Sequence, residues 1–210
     1  MEGWHLVHED EFLLVVEKPA GLLAVPGRGE AGQHNLTALV QAQFADALVV
    51  HRLDMATSGL MLFARGAAVQ SALNRAFAYR RMNKRYEAVV EGDVQGQAGS
   101  IHARLAADWP QRPRQKVDAE HGKPALTHWR VLQRGTGPER CGTRLQLEPF
   151  TGRSHQLRVH LLSIGHPIVG DALYGHDPGP GGRLLLHACA LAFVHPGSGQ
   201  PCEFKSAAPF

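Results

Sequence analysis

Apolar and polar positions alternate in short runs along most of this chain. Trp4 to Val7 and Phe12 to Glu17 are two such runs around an acidic turn, and they predict a pair of strands. The following KPAGLLAVPGRGEAG is rich in Pro and Gly and predicts a loop, tacked to the core by Leu22, Leu23 and Val25. Leu36, Leu39, Val40 and Phe44 then recur with helical spacing, and Asn35 is placed to cap them. Leu48 to Val50 and Leu60 to Phe63 are apolar strands on either side of a polar loop, HRLDMATSG. Val69, Leu73 and Phe77, four apart, predict a helix over 67–79. Further strands are expected around Tyr86 to Val90, over 99–105, 123–133 and 143–149, and near the end over 184–194 and 203–205. Thr151-Gly152-Arg153-Ser154 reads as the opening of a helix with Leu157, Leu161 and Ile164 inward and Gly165 as its stop; HDPGPGG, 176–182, reads as loop. Strands dominate, and most links are too short for helical crossovers. One α+β domain over 1–210 with a mixed or antiparallel sheet is the expectation.

Composition changes this picture little. The chain has 210 residues, 44% hydrophobic and 20% charged, as in an ordinary globular protein. No apolar run is long enough to span a membrane, and the N-terminus lacks the basic and apolar segments of a secretory signal, so a cytoplasmic location is expected. A net charge of +3 permits an anionic partner without requiring one. Cys141, Cys189 and Cys202 are far apart and form no CxxC pair, which suits reduced thiols. The thirteen histidines do not fall into a metal-ligand pattern; His155, His160 and His166 come closest.

Four segments could carry chemistry. In His51-Arg52-Leu53-Asp54-Met55-Ala56-Thr57-Ser58-Gly59 a carboxylate sits in a small loop between two strands, a common place for a catalytic group. Taken alone, an Asp beside Thr and Ser is more often a turn residue bonding its own backbone. In the segment from Thr151 to His160, Arg153 near a helix start could grip a carboxylate or phosphate, with Leu157 four residues on and on the same helical face; a solvated arginine is the plainer alternative. Tyr86 follows Arg80, Arg81, Lys84 and Arg85, so it could stack on a base while cations hold the backbone, or simply fill the core. Asp108 to Lys116 spaces Arg112, Arg114 and Lys116 with prolines, a stiff positive finger suited to phosphates or to solvent.

Taken together, the segments resemble the RluA family of pseudouridine synthases. The HRLD-x-x-TSG loop is that family's catalytic motif. KPAG at 18–21, K-x-Y at 84–86, GRSHQLRVH at 152–160, GHPIVGD at 165–171 and RLLLHA at 183–188 follow in the family's order, so the resemblance covers nearly the whole chain. Met55-Ala56 and DWPQRPRQKV are similar to its dual-specificity branch, as is the expected lack of an S4-type N-terminal RNA-binding domain. That branch modifies a uridine of 23S ribosomal RNA and one in the transfer RNA anticodon loop. The resemblance implies the pseudouridine synthase α+β fold, with a cleft across the middle of a long sheet. It implies Asp54 as the essential carboxylate, Tyr86 stacking on the target uracil, Arg153 as the ion-pair partner of Asp54, Leu157 packing at the site and Arg52 displacing the target base, with His51 a further substrate-binding candidate. Arg80, Arg85, Arg112, Arg114 and Lys116 are candidate contacts to RNA. Whether the carboxylate attacks the sugar or removes a sugar proton, it must be ionised, and a nearby guanidinium favours that form. The isomerisation needs no redox step and no external group, so no cofactor, no metal and no obligate protein partner are expected. Two other classes compete with this reading: a non-catalytic RNA-binding module, for which an intact Asp54, Tyr86 and Arg153 have no use, and a glycoside hydrolase, which needs a second acid that only Glu87 or Asp171 could supply.

Overall fold

Eleven strands and three helices lie among the described residues of the computed structural model, which are 3–27, 29–136, 141–176, 179 and 182–210. In chain order they are β1 (His5–Glu9), β2 (Leu13–Lys18), α1 (Leu36–Gln43), β3 (Ala47–Val49), β4 (Ser58–Arg65), α2 (Ala67–Ala78), β5 (Asn83–Val90), β6 (Ala98–Ala107), β7 (Gln115–Val117), β8 (Lys123–Thr136), β9 (Gly142–Pro149), α3 (Gln156–Ser163), β10 (Leu186–Val194) and β11 (Pro201–Lys205). The α+β class and the antiparallel pairing are as the pattern of the sequence indicates. The chain divides into two compact units, 1–84 with 188–208, and 85–187 with 209–210.

In the first unit the strands run in the order β1-β2-β4-β10, with β3 also on β4 and β11 on β10. β2 and β4 are antiparallel from Leu13 opposite Ala64 to Lys18 opposite Gly59. Both are continuous apolar runs rather than alternating ones, because both faces are covered: Leu13, Leu14, Val15, Val16 and Leu60 to Ala64 are all fully buried. α2 supplies Leu73 to this core, with Val69 and Phe77 packed around it. α1 starts where expected, since the Asn35 side chain accepts the Ala38 N–H at 3.0 Å.

The second unit holds an antiparallel sheet in the order β5-β9-β8-β6-β7. α3 lies against it, burying Leu157, Val159 and Leu161. Three expectations change here. The helix begins at Gln156, not at Thr151, and Ile164 is exposed beyond its end rather than inward. The cause is the Gln156 amide. Its Oε1 accepts the Thr151 hydroxyl at 2.7 Å and the Arg153 N–H at 3.0 Å, while its Nε2 donates to the Leu126 carbonyl and to Thr127 Oγ1, each at 3.0 Å. These side-chain bonds hold 151–155 in a non-helical wrap. Arg153 and Leu157 therefore do not share a helical face. Third, Gln115–Val117 is a strand on β6, hidden in the sequence by its Pro-rich and charged surroundings. Most of the HDPGPGG stretch lies outside the described residues.

Candidate active site

His51, Arg52, Asp54 and Arg80 belong to the first unit; Arg85, Tyr86, Arg112, Arg114, Lys116, Arg153 and Leu157 belong to the second.

The Asp54 loop is fixed from below, through its backbone. Thr57 N–H donates to the Asp54 carbonyl at 3.1 Å, closing a tight turn. The Met55 carbonyl accepts the Gly21 N–H at 2.9 Å and the Lys18 ammonium at 3.0 Å. Lys18 is wholly buried and donates also to the carbonyls of Pro19 at 2.8 Å and Leu22 at 2.7 Å. It thereby ties the KPAG segment to the residue next to Asp54. Sequence reasoning gave Lys18 no role; its signal was a lysine ending an otherwise apolar strand just before a proline. Leu53, Thr57 and Ser58 are buried, Asp54 is half-buried, and Arg52 is exposed. Gly59, which ends the motif, has φ +113°, and a Cβ there would lie 2.4 Å from the Ala188 carbonyl oxygen. Only glycine fits, which links the TSG and LLLHA segments physically.

His51 turns inward. Its Nε2 accepts the Leu62 N–H of β4 at 2.9 Å, and its ring lies 4.9 Å from that of Phe77. Accepting through Nε2 leaves the ring proton on Nδ1. Burial, aided by the charge of Lys84, pushes the imidazole down to a pKa of about 3. The folded state therefore binds this proton less readily than the unfolded chain. Its contribution to stability is complete above pH 6.5, the ordinary histidine value, and is lost as pH falls from there toward 3. His160 in the second unit, pushed down to about 4 by burial and by His102, acts in the same direction. His51→Gln keeps an acceptor for Leu62 but cannot titrate. In urea unfolding at pH 7 and pH 4.5, wild type should lose about 1–2 kcal/mol more than this variant on acidification. Equal losses would reject the neutral imidazole.

In the second unit Tyr86 is half-buried on β5, opposite Leu147. Arg153 is exposed before α3, its Nε donating to the Pro124 carbonyl at 3.3 Å. Leu157 is buried. Both candidates for the second acid that a glycosidase needs are already engaged. Glu87 accepts from Arg144 at 2.9 Å. Asp171 is fully buried and takes a two-pronged bond from Arg158, 2.7 Å at Nε and 2.6 Å at Nη2, together with the N–H groups of Leu173 and Tyr174. This geometry speaks for a brace, not for a spare acid.

The basic residues divide by environment. Arg80 is exposed in a left-handed turn after α2, with φ 58°, and Arg85 is half-buried on β5. Arg112 is exposed, its guanidinium carbon 3.4 Å from the centre of the Trp109 ring. Arg114 is held within the unit: it donates to Gln111 Oε1 at 2.9 Å and to the Leu173 carbonyl, with the Tyr174 ring 5.9 Å away. Lys116 is exposed, 3.8 Å from Asp118. Among the described residues no group of three or more His, Cys, Asp or Glu is arranged to hold a metal ion, and no helix is long and apolar enough to cross a membrane.

Residues 12–163 match the model of the RNA pseudouridylate synthase family. The dual-specificity RNA pseudouridine synthase RluA of Yersinia pestis is 44% identical over 207 residues, covering 98% of this chain and 99% of that protein. The protein of the same name from Vibrio vulnificus is 45% identical over 208 residues, covering 95% of this chain and 83% of its own. Among solved structures, human RNA pseudouridylate synthase domain containing 1 superposes with a TM-score of 0.83 at 29% identity, covering all of this chain and 85% of that one. Human RNA pseudouridylate synthase domain containing 4, at 22% identity and a TM-score of 0.75, shares the fold. With the family model spanning well over half its length and relatives above 40% identity along nearly all of it, this chain belongs to the RNA pseudouridylate synthase family.

Proposed function

We propose that this chain is a dual-specificity enzyme that isomerises uridine in both 23S ribosomal RNA and transfer RNA anticodon stem-loops, in the cytoplasm. The observation that carries the reading is the 44% identity, end to end, with a protein named for dual specificity. Asp54 is the carboxylate that acts on the target nucleotide. Tyr86 stacks on the uracil, Arg153 is the ion-pair partner of Asp54, Leu157 packs beneath the site, and the two units serve as one catalytic domain. In the reaction the bond from C1′ to N1 breaks and one from C1′ to C5 forms. C5 gives up its proton and N1 gains one, so nothing is added or removed overall. The uridine must leave its stack first, which costs a few kcal/mol and favours loops over paired stems. Arg52 stands exposed two residues before Asp54, and its planar guanidinium fills the space the base vacates. His51 contributes from below, by holding β4 through Leu62.

Loss of the C5 proton gives a direct test. RNA carrying tritium at C5 of uridine should release it to solvent on incubation with the protein, from an isolated anticodon stem-loop and from a 23S ribosomal RNA fragment alike. Release from the ribosomal fragment alone would end the dual-specificity reading. Release from neither would end the assignment of substrates altogether.

A further inference from the structure

A large aromatic ring is displayed at the tip of the finger between β6 and β7, where burial would be its ordinary fate. Trp109 is 67% exposed. Arg112 lies flat enough on it to bring its guanidinium carbon within 3.4 Å of the ring centre, so one face of the indole is backed by a cation. The turn that carries the pair is closed by its own backbone. Asp108 N–H donates to the Arg114 carbonyl at 2.9 Å, Gln111 N–H to the Asp108 carbonyl at 3.0 Å, and Arg114 N–H to the Gln111 carbonyl at 2.9 Å. Pro110 and Pro113 stiffen it further. Arg114 and Tyr174 anchor it at its base: Arg114 bonds the Leu173 carbonyl, and the Tyr174 hydroxyl accepts the Gln115 N–H at 2.6 Å. Beside the finger runs a groove of about 470 Å³ in which apolar Val117 and Leu162 mix with Lys116, Gln111 and Ser163.

From these features we infer that Trp109, backed by Arg112, is a second base-stacking site, one that takes an unpaired base of the substrate RNA other than the isomerised uridine. The inference rests on the RNA substrate proposed above. A rigid indole offers a flat apolar face at little entropic cost, and every nucleobase has a complementary one. A cation behind the indole adds attraction for the phosphates that arrive with the base, and Lys116 brings another to the same finger. The adjoining groove, lined by both apolar and polar side chains, has room for the rest of the nucleotide. A protein partner is the less favoured occupant, since the ring comes with cations, Arg112 stacked on it and Lys116 exposed on the same finger.

The test pairs protein variants with abasic RNA. Binding of the anticodon stem-loop to wild type, Trp109→Ala and Trp109→Phe is measured, then repeated with a series in which each unpaired loop nucleotide in turn lacks its base. Trp109→Ala should bind the intact RNA about 5- to 150-fold more weakly, with Trp109→Phe retaining most of the affinity. At one abasic position, not the target uridine, wild type should lose the same factor and Trp109→Ala should lose nothing more. A merely structural role for Trp109 would instead weaken every RNA in the series equally, and that outcome overturns the inference, as does unchanged affinity of Trp109→Ala. Tritium release by wild type from the intact stem-loop, run alongside, tells the two readings apart. Release without a Trp109 effect defeats this inference alone, and no release defeats the substrate assignment and this inference with it.

Discussion

Replacing Asp54 by Asn should lower the rate of pseudouridine formation by about 10⁴-fold or more, with little effect on folding or on RNA affinity. The substitution keeps the shape of the side chain and removes its charge. Three bonds that hold the loop in place run through its backbone: Thr57 N–H to the Asp54 carbonyl, and Gly21 N–H and the Lys18 ammonium to the Met55 carbonyl. None of them changes when a carboxylate becomes an amide. An amide neither attacks C1′ nor accepts a proton from the sugar, so both conceivable routes close together. Three measurements on one preparation decide the matter: single-turnover tritium release, the thermal midpoint, and the Kd for a stem-loop. A rate near that of wild type would remove Asp54 from the chemistry. A large fall in thermal midpoint would instead make it a structural member of its turn, which is the ordinary role of an Asp beside Thr and Ser.

That ambiguity shows what was legible in the sequence. Strand and helix runs such as Leu13 to Lys18, Ser58 to Arg65 and Ala67 to Ala78 could be read because burial imposes a simple period or a continuous apolar run. The HRLDMATSG loop could be located because two such strands bracket it. The start of α3 could not. It is set by one buried amide, Gln156, and its bonds to Thr151, Arg153, Leu126 and Thr127, two of which lie some thirty residues away along the chain. No local pattern encodes partners at that distance. The same holds for Lys18, whose ammonium meets a carbonyl 37 residues on. His51 is a further case. It opens the HRLDMATSG loop and reads as a substrate-binding residue, yet its Nε2 is taken by the backbone of β4. Charge was the least legible property. Arg112, Arg114 and Lys116 are alike in composition, but Arg114 braces the finger from within while Arg112 lies on an exposed indole. The positions of the prolines and of Trp109 could have hinted at a rigid tip, but not at which cation would turn inward.

Asp171→Ala should destabilise the protein by about 3–5 kcal/mol, the largest stability loss expected of any single change in the second unit. Arg158 is only 5% exposed at its side chain, and Asp171 not at all. Removing the carboxylate leaves a guanidinium in the interior with both of its strongest bonds gone, at 2.7 and 2.6 Å. It also strips the acceptor from the N–H groups of Leu173 and Tyr174, which share the Asp171 Oδ1. The loss then spreads through Tyr174, because its hydroxyl holds both the Gln115 N–H at 2.6 Å and the His155 ring at 2.7 Å. The finger and the start of α3 should therefore loosen along with the core. Arg158→Met should cost a similar amount, since it strands the opposite charge. The double variant Arg158→Met with Asp171→Leu separates charge from packing. A buried pair replaced by apolar groups of similar volume loses far less than either half alone, so the double variant should recover at least about 2 kcal/mol relative to the sum of the single losses. Urea unfolding of the four proteins supplies the cycle. Strictly additive losses would mean that Arg158 and Asp171 act separately, and that the motifs containing them are joined by something other than this ion pair.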